Sequence, residues 1–278
     1  MSRVARPDLQ PSASSAATDA SLLPSQASAL LGCFTNFLTV ALHSILYHRK
    51  LYPEATFLTA RAYNLPVHQS RHPGVCAWIR DAVAAVGAQV RVGSARQVSL
   101  VIHAPASFDV VERWIFDLQS FPATWGDKDT SSGPPLDPAT ADEAVNWTDV
   151  NEALRGALSR IAHVGQSRPR LPDGCTFTIG IELRDQALPP IQHPQLWIPA
   201  QPHLQTASES RPELGRALGG TATAPIRSVR AGPLFFECWV EQGKLASSTA
   251  SPEAPSFSPA SDNRRGTGPP DTTASSSS

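Results

Sequence analysis

The chain has 278 residues and a formal net charge of -1, so it lacks the basic patch or high isoelectric point that attracts a protein to a nucleic-acid backbone. Direct duplex binding is disfavoured. Its four cysteines, Cys33, Cys76, Cys175 and Cys238, form no C-x-x-C pair and read as reduced thiols. Neither a secretory leader nor an apolar run near the roughly 20 residues of a membrane span is expected.

Residues 1–24 are rich in Ser, Ala, Pro and Asp and cannot bury enough apolar area to offset the entropy of ordering, so they read as a flexible tail. One domain is expected over 25–245. The first helix should begin near Pro24–Ser28, with Phe34, Phe37, Leu38, Ala41, Leu42, Ile45 and Leu46 at the spacing of one helical face. His48, Arg49 and Lys50 then lie where positive charge meets the negative end of the helix dipole, and Pro53 ends the element. Short strands follow at Ala55–Phe57 and Tyr63–Val67, the latter suited to a sheet edge because Pro66 donates no ladder bond.

Pro73 opens a second helix whose stripe is Cys76, Ile79, Val83 and Val86, with Gly87 as its stop. Val98–His103 and Val110–Leu118 alternate with the period of strands and should pair as an antiparallel hairpin. Residues 122–140 have no periodicity and read as an exposed loop. Thr140 and Glu143 form a capping box for a third helix that buries Val150, Leu154, Ala157, Leu158 and Ile161. Pro172-Asp173-Gly174 turns into Cys175–Leu183, whose alternation reads as a central strand.

From Ala187 to Arg230 the chain is irregular and proline-rich, with one apolar cluster at Leu196-Trp197-Ile198. Such a segment inside a domain is functional or disordered. Order returns at Leu234–Val240, and residues 246–278 form a second Ser, Pro and Thr tail. Chemistry is sparse. His43, Tyr47 and His48 share a helix without the carboxylate a metal motif needs, so no metal or cofactor is expected, and no glycine-rich phosphate loop, G-x-S-x-G elbow or paired-carboxylate motif appears. An enzyme is the disfavoured rival.

Collinear pieces carry a resemblance: FLTVALHSILYHRKLYP, YNLPV, His72-Pro73, VERWIFDL, VNEALRGALSRI, PDGCTFTI and a last strand ending WVEQ. In this order they resemble the HORMA domain family, and within it the accessory, non-catalytic subunits of translesion DNA polymerase zeta. The resemblance implies an α+β fold, three helices on one face of a mostly antiparallel sheet, with a carboxy-terminal safety belt at about 184–240. It also implies a nuclear adaptor in DNA damage tolerance. The belt would trap a proline-containing peptide of the polymerase zeta catalytic subunit, gripped by Tyr63 and Trp197 with Pro199 beside them. Thr223, Pro225, Glu237 and Trp239 would face the scaffold translesion polymerase. Arg155 would meet another HORMA protomer, and a AAA+ remodelling ATPase is a further candidate partner. A spindle-checkpoint or meiotic adaptor is the rival within the family.

Overall fold

The computed structural model describes residues 24–121, 145–184, 187–190, 196–205, 207 and 211–243. The chain separates into Met1–Ala246 and Ser247–Ser278, and all described residues belong to the first. The expected tails, apart from Pro24, the 122–140 loop and the Thr140–Glu143 capping box lie outside the described residues.

Helix α1 spans Pro24–His48 and its predicted stripe is the centre of the core, with Phe34, Phe37, Leu38, Ala41, Leu42, Ile45 and Leu46 fully buried. The expectation that no apolar run approaches span length is corrected, because α1 is long and apolar enough by length and composition. Its apolar residues instead pack against protein. Phe34 meets Phe236 edge to face at 5.4 Å and Phe37 meets Phe116 at 6.2 Å, tying α1 to the sheet.

Strands β1, Phe57–Ala62, and β2, Leu65–Ser70, form a separate antiparallel ribbon. Tyr63 and Asn64 are its turn, with φ of 49° and 57°, so Tyr63 is not the edge-strand residue expected. Two successive positive φ values are what a two-residue hairpin turn requires. Tyr47 of α1 stacks on His68 of β2 at 3.5 Å.

Helix α2 covers Pro73–Arg91, with His72 as N-cap accepting from the Val75 amide. Gly87 does not stop it. A side chain there would press on Thr35 of α1, so the glycine serves close helix packing, and Gly93 with φ 70° follows the helix end instead. Helix α3 runs from Trp147 to Ser167, starting at Asn146, whose side chain accepts from the Thr148 and Asp149 amides. All five predicted positions of its inner face are buried.

Strands β3, Ala95–His103; β4, Val110–Asp117; β5, Thr176–Leu183; β6, Ala222–Ala231; and β7, Leu234–Gln242, form one sheet in the order β5-β3-β4-β7-β6. Every pairing is antiparallel. Two expectations are corrected here. β5 is an edge strand rather than a central one, because among the described residues it pairs with β3 alone, and the irregular segment expected to reach Arg230 contains β6. A bulge between Pro225 and Arg227 breaks the alternation of β6, so Ile226, Val229 and Ala231 are the buried positions.

Arg49 also differs from its reading as a charge compensating its own helix. It is buried and donates twice to Glu112 of β4, at 3.0 and 2.9 Å, and to the carbonyls of Gly165, Arg168 and Pro169 at the end of α3. Arg168 and the Trp114 indole also donate to the Glu112 carboxylate, at 2.8 and 3.2 Å. One carboxylate therefore joins α1, β4 and the α3 terminus.

Candidate functional site

β5 carries Phe177, Ile179, Ile181 and Leu183, yet of its eight residues only Ile179 is buried. An apolar strand half open to its surroundings exposes a row of backbone donors and acceptors along its outer side. Among the described residues no strand pairs with that side. A cavity of about 870 Å³ runs along it instead.

The cavity wraps round the strand. On the helix face it is lined by Trp78 and Ala82 of α2, and Trp78 meets Phe177 edge to face at 5.2 Å. On the opposite face its floor is Ser99, Val101, His103 and Arg113. Leu196, Trp197, Ile198 and Pro199, from the irregular segment that follows β5, form the other wall. Leu196 and Ile198 are more than four-fifths exposed, so this segment presents uncovered apolar groups beside the open edge.

The same segment is anchored to the sheet further along. The short helical turn Pro202–Leu204 and the turns of 211–219 place Leu204 and Ala217 against Val101 and Val110, a small second core on the face of the sheet away from the helices. Beneath it His103 is buried between two partners at 3.0 Å, the Phe108 carbonyl and the Thr178 hydroxyl. Burial holds its pKa below the ordinary value, nearby His203 adds to this, and the bond to the Phe108 carbonyl opposes it. The neutral ring donates from Nδ1 to Phe108 and accepts from Thr178 at Nε2.

Arg113 is buried and donates to Glu241 of β7 at 3.2 Å, leaving its Nε without a hydrogen-bond partner among the described residues. Burial draws its pKa down and Glu241 opposes the shift. The other oxygen of Glu241 accepts from the Trp239 indole at 2.9 Å, so a chain of bonds links the cavity floor to the hairpin.

The expected site residues fall in distinct places. Trp197 and Pro199 line the cavity; Tyr63 does not. Tyr63 packs against the core and donates from its hydroxyl to the Cys33 carbonyl of α1 at 3.4 Å, with its pKa pushed up to about 12 by burial and by Cys33. Thr223, Pro225, Glu237 and Trp239 share one face of the β6–β7 hairpin, where Pro225 lies opposite Trp239. Arg155 is half-exposed on α3 and bonded to Glu152 at 2.9 Å. Trp78, His103 and Arg113 were not foreseen as site residues. A tryptophan between the stripe positions Cys76 and Ile79 was the one available signal. Among the described residues no cluster of three His, Cys, Asp or Glu could hold a metal ion.

Comparison with known proteins agrees with this architecture. The HORMA domain family profile matches residues 31–223. The DNA polymerase zeta processivity subunit of Schizosaccharomyces pombe is 32% identical over 212 residues, covering 75% of this chain and 91% of that protein. The mitotic spindle assembly checkpoint protein MAD2B of Homo sapiens is 30% identical over 155 residues, covering 54% and 64% respectively. A chain in the crystal structure of a mitotic checkpoint complex superposes with a TM-score of 0.56 at 19% identity, covering 76% of this chain and 97% of that one. Caenorhabditis elegans HTP-2 bound to HTP-3 closure motif 1 gives 0.54 at 13% identity, covering 80% and 89%. With three α-helices and an antiparallel sheet among the described residues, and a family match over residues 31–223, this chain belongs to the HORMA domain family.

Proposed function

We propose that this protein is a non-catalytic adaptor subunit of translesion DNA polymerase zeta. Its belt, about residues 184–240, closes over an extended proline-containing segment of the catalytic subunit, which adds as a strand along β5. The observation that carries this reading is the apolar outer edge of β5 opening into a cavity walled by Leu196, Trp197, Ile198 and Pro199. A strand added to such an edge gains main-chain hydrogen bonds, each worth about 0.5–1.5 kcal/mol net. Only alternate amides of the added strand face β5, so prolines fit at the others. The similarity to a protein named polymerase zeta processivity subunit, over most of both chains, supports this partner class.

The hairpin face with Thr223, Pro225, Glu237 and Trp239 then meets the scaffold translesion polymerase. The α3 face at Arg155 receives a second HORMA protomer, a AAA+ ATPase reopens the belt, and the complex works in the nucleus. A spindle-checkpoint adaptor is the second reading, favoured by the similarity to MAD2B proteins.

Calorimetric titration of the full chain with proline-containing segments of the polymerase zeta catalytic subunit from the same organism tests the first reading. A segment should bind wild type, and Trp197→Ala should weaken it by about 2 kcal/mol or more, as for a buried aromatic anchor. Binding of a spindle-checkpoint segment with none from the polymerase would establish the second reading.

A further inference from the structure

In the middle of β5, Gly180 interrupts a strand whose other residues all carry side chains of threonine size or larger. It lies opposite Ser99 of β3, on the face that carries Thr178 and Glu182, and both Gly180 and Ser99 line the cavity. The alternate face, with Ile179 opposite Leu100, belongs to the main core. The belt-facing row of β5 therefore has a side-chain-free step at its centre, floored by the smallest residue of the neighbouring row.

A glycine inside a strand weakens it and commonly marks close approach of another backbone or ligand. Nothing in the backbone requires it here, since Gly180 is absent from the positive-φ glycines and pairs in regular register. Among the described residues a Cβ at this position would meet one atom within 4 Å, the Ser99 hydroxyl oxygen at 3.0 Å, so β3 bounds the step on one side and nothing fills the rest. The space lies on the cavity side.

We infer that Gly180 and Ser99 form a specificity pocket for a flat aromatic side chain of the segment that docks along β5. This rests on the strand-addition reading above. In an added strand, the residue directly opposite Gly180 directs its side chain to the same face, with Cβ about 4.5–5.5 Å away. A ring at that residue covers the exposed peptide planes of Gly180, the cross-strand arrangement by which aromatics compensate glycines in sheets. Its other side faces the belt wall, where Trp197 and Pro199 supply apolar surface. Branched aliphatic residues cover a flat strand surface less completely, and small ones leave the step open.

The test is selection from a displayed library of random ten-residue peptides against the full-length wild type, Gly180→Val and Ser99→Leu. Valine favours strands, and Ser99→Leu fills the same step from β3 without altering β5, so either variant carries the test if the other fails to fold. Wild type should enrich Phe, Tyr or Trp at one fixed position of the bound register. Both variants should enrich small residues there, keep the rest of the pattern, and bind the wild-type winners about tenfold or more weakly. Identical residue preferences for wild type and a folded variant would overturn the pocket while leaving strand addition standing. Peptides whose binding is indifferent to masking of the β5 edge, or no selected peptides at all, would overturn strand addition and the pocket with it.

Discussion

Replacing Glu112 by alanine removes the carboxylate on which Arg49, Arg168 and the Trp114 indole converge, four donors within 2.8–3.2 Å. The Arg49 and Arg168 side chains are only 3% and 13% exposed, so water cannot replace the lost acceptor without opening the junction of α1, β4 and α3. Breaking a buried pair by removing one partner costs about 3–5 kcal/mol. Against a total stability of roughly 5–15 kcal/mol that is a large fraction. For a domain of this size, each kcal/mol moves Tm by about 2–4 °C, giving a fall of roughly 6–20 °C. Urea unfolding and thermal melts of the full chain measure this directly. The exposed pair Lys50–Glu54 is the control, with side chains 67% and 60% exposed, and Glu54→Ala should cost under about 1 kcal/mol. If Glu112→Ala also costs under about 1 kcal/mol, the network does not hold these elements together.

Three further outcomes follow from the same geometry. His43 is buried, its Nδ1 accepts from the Ser70 amide, and burial lowers its pKa to about 4. Its folded pKa lies below the unfolded value of about 6.5, so stability is complete above pH 6.5 and falls as pH drops toward 4. His43 should contribute about 2–3 kcal/mol of that loss by denaturant titration. His48, whose pKa burial and His68 also lower to about 4, loses stability in the same window, so His43→Leu should make the slope shallower without abolishing it. Arg155→Ala breaks only a half-exposed pair with Glu152, so melting should change by under about 0.5 kcal/mol while light scattering shows any self-association moving toward monomer. Trp239→Ala should weaken binding to the scaffold polymerase by about 2 kcal/mol and leave the catalytic-subunit segment bound.

Elements held by local periodicity were legible in the sequence. The α1 stripe, the inner face of α3 and the β3–β4 hairpin could be read because each buries one face at a fixed period. β5 was legible as a strand but misplaced in the sheet, since apolar alternation reports which faces are covered and not how many neighbours pair. Its apolar edge makes sense for a strand awaiting a partner. β6 was hidden because the bulge at Pro225–Arg227 shifts the buried positions out of step. Arg49 looked like a helix-end charge because its partner Glu112 is 63 residues away, a distance no local pattern spans. In the site, Trp197 stood out as a lone tryptophan among prolines. Arg113 and Gly180 acquire meaning only when the sheet order brings them to one cavity.

Amide hydrogen exchange along Thr176–Leu183, with and without a bound proline-containing segment of the polymerase zeta catalytic subunit, tests strand addition most directly. In an edge strand alternate amides point outward, so those should slow sharply on binding while the amides already bonded to β3 stay protected. Protection that appears elsewhere in the domain and leaves the outward amides of β5 exchanging as before would contradict the account.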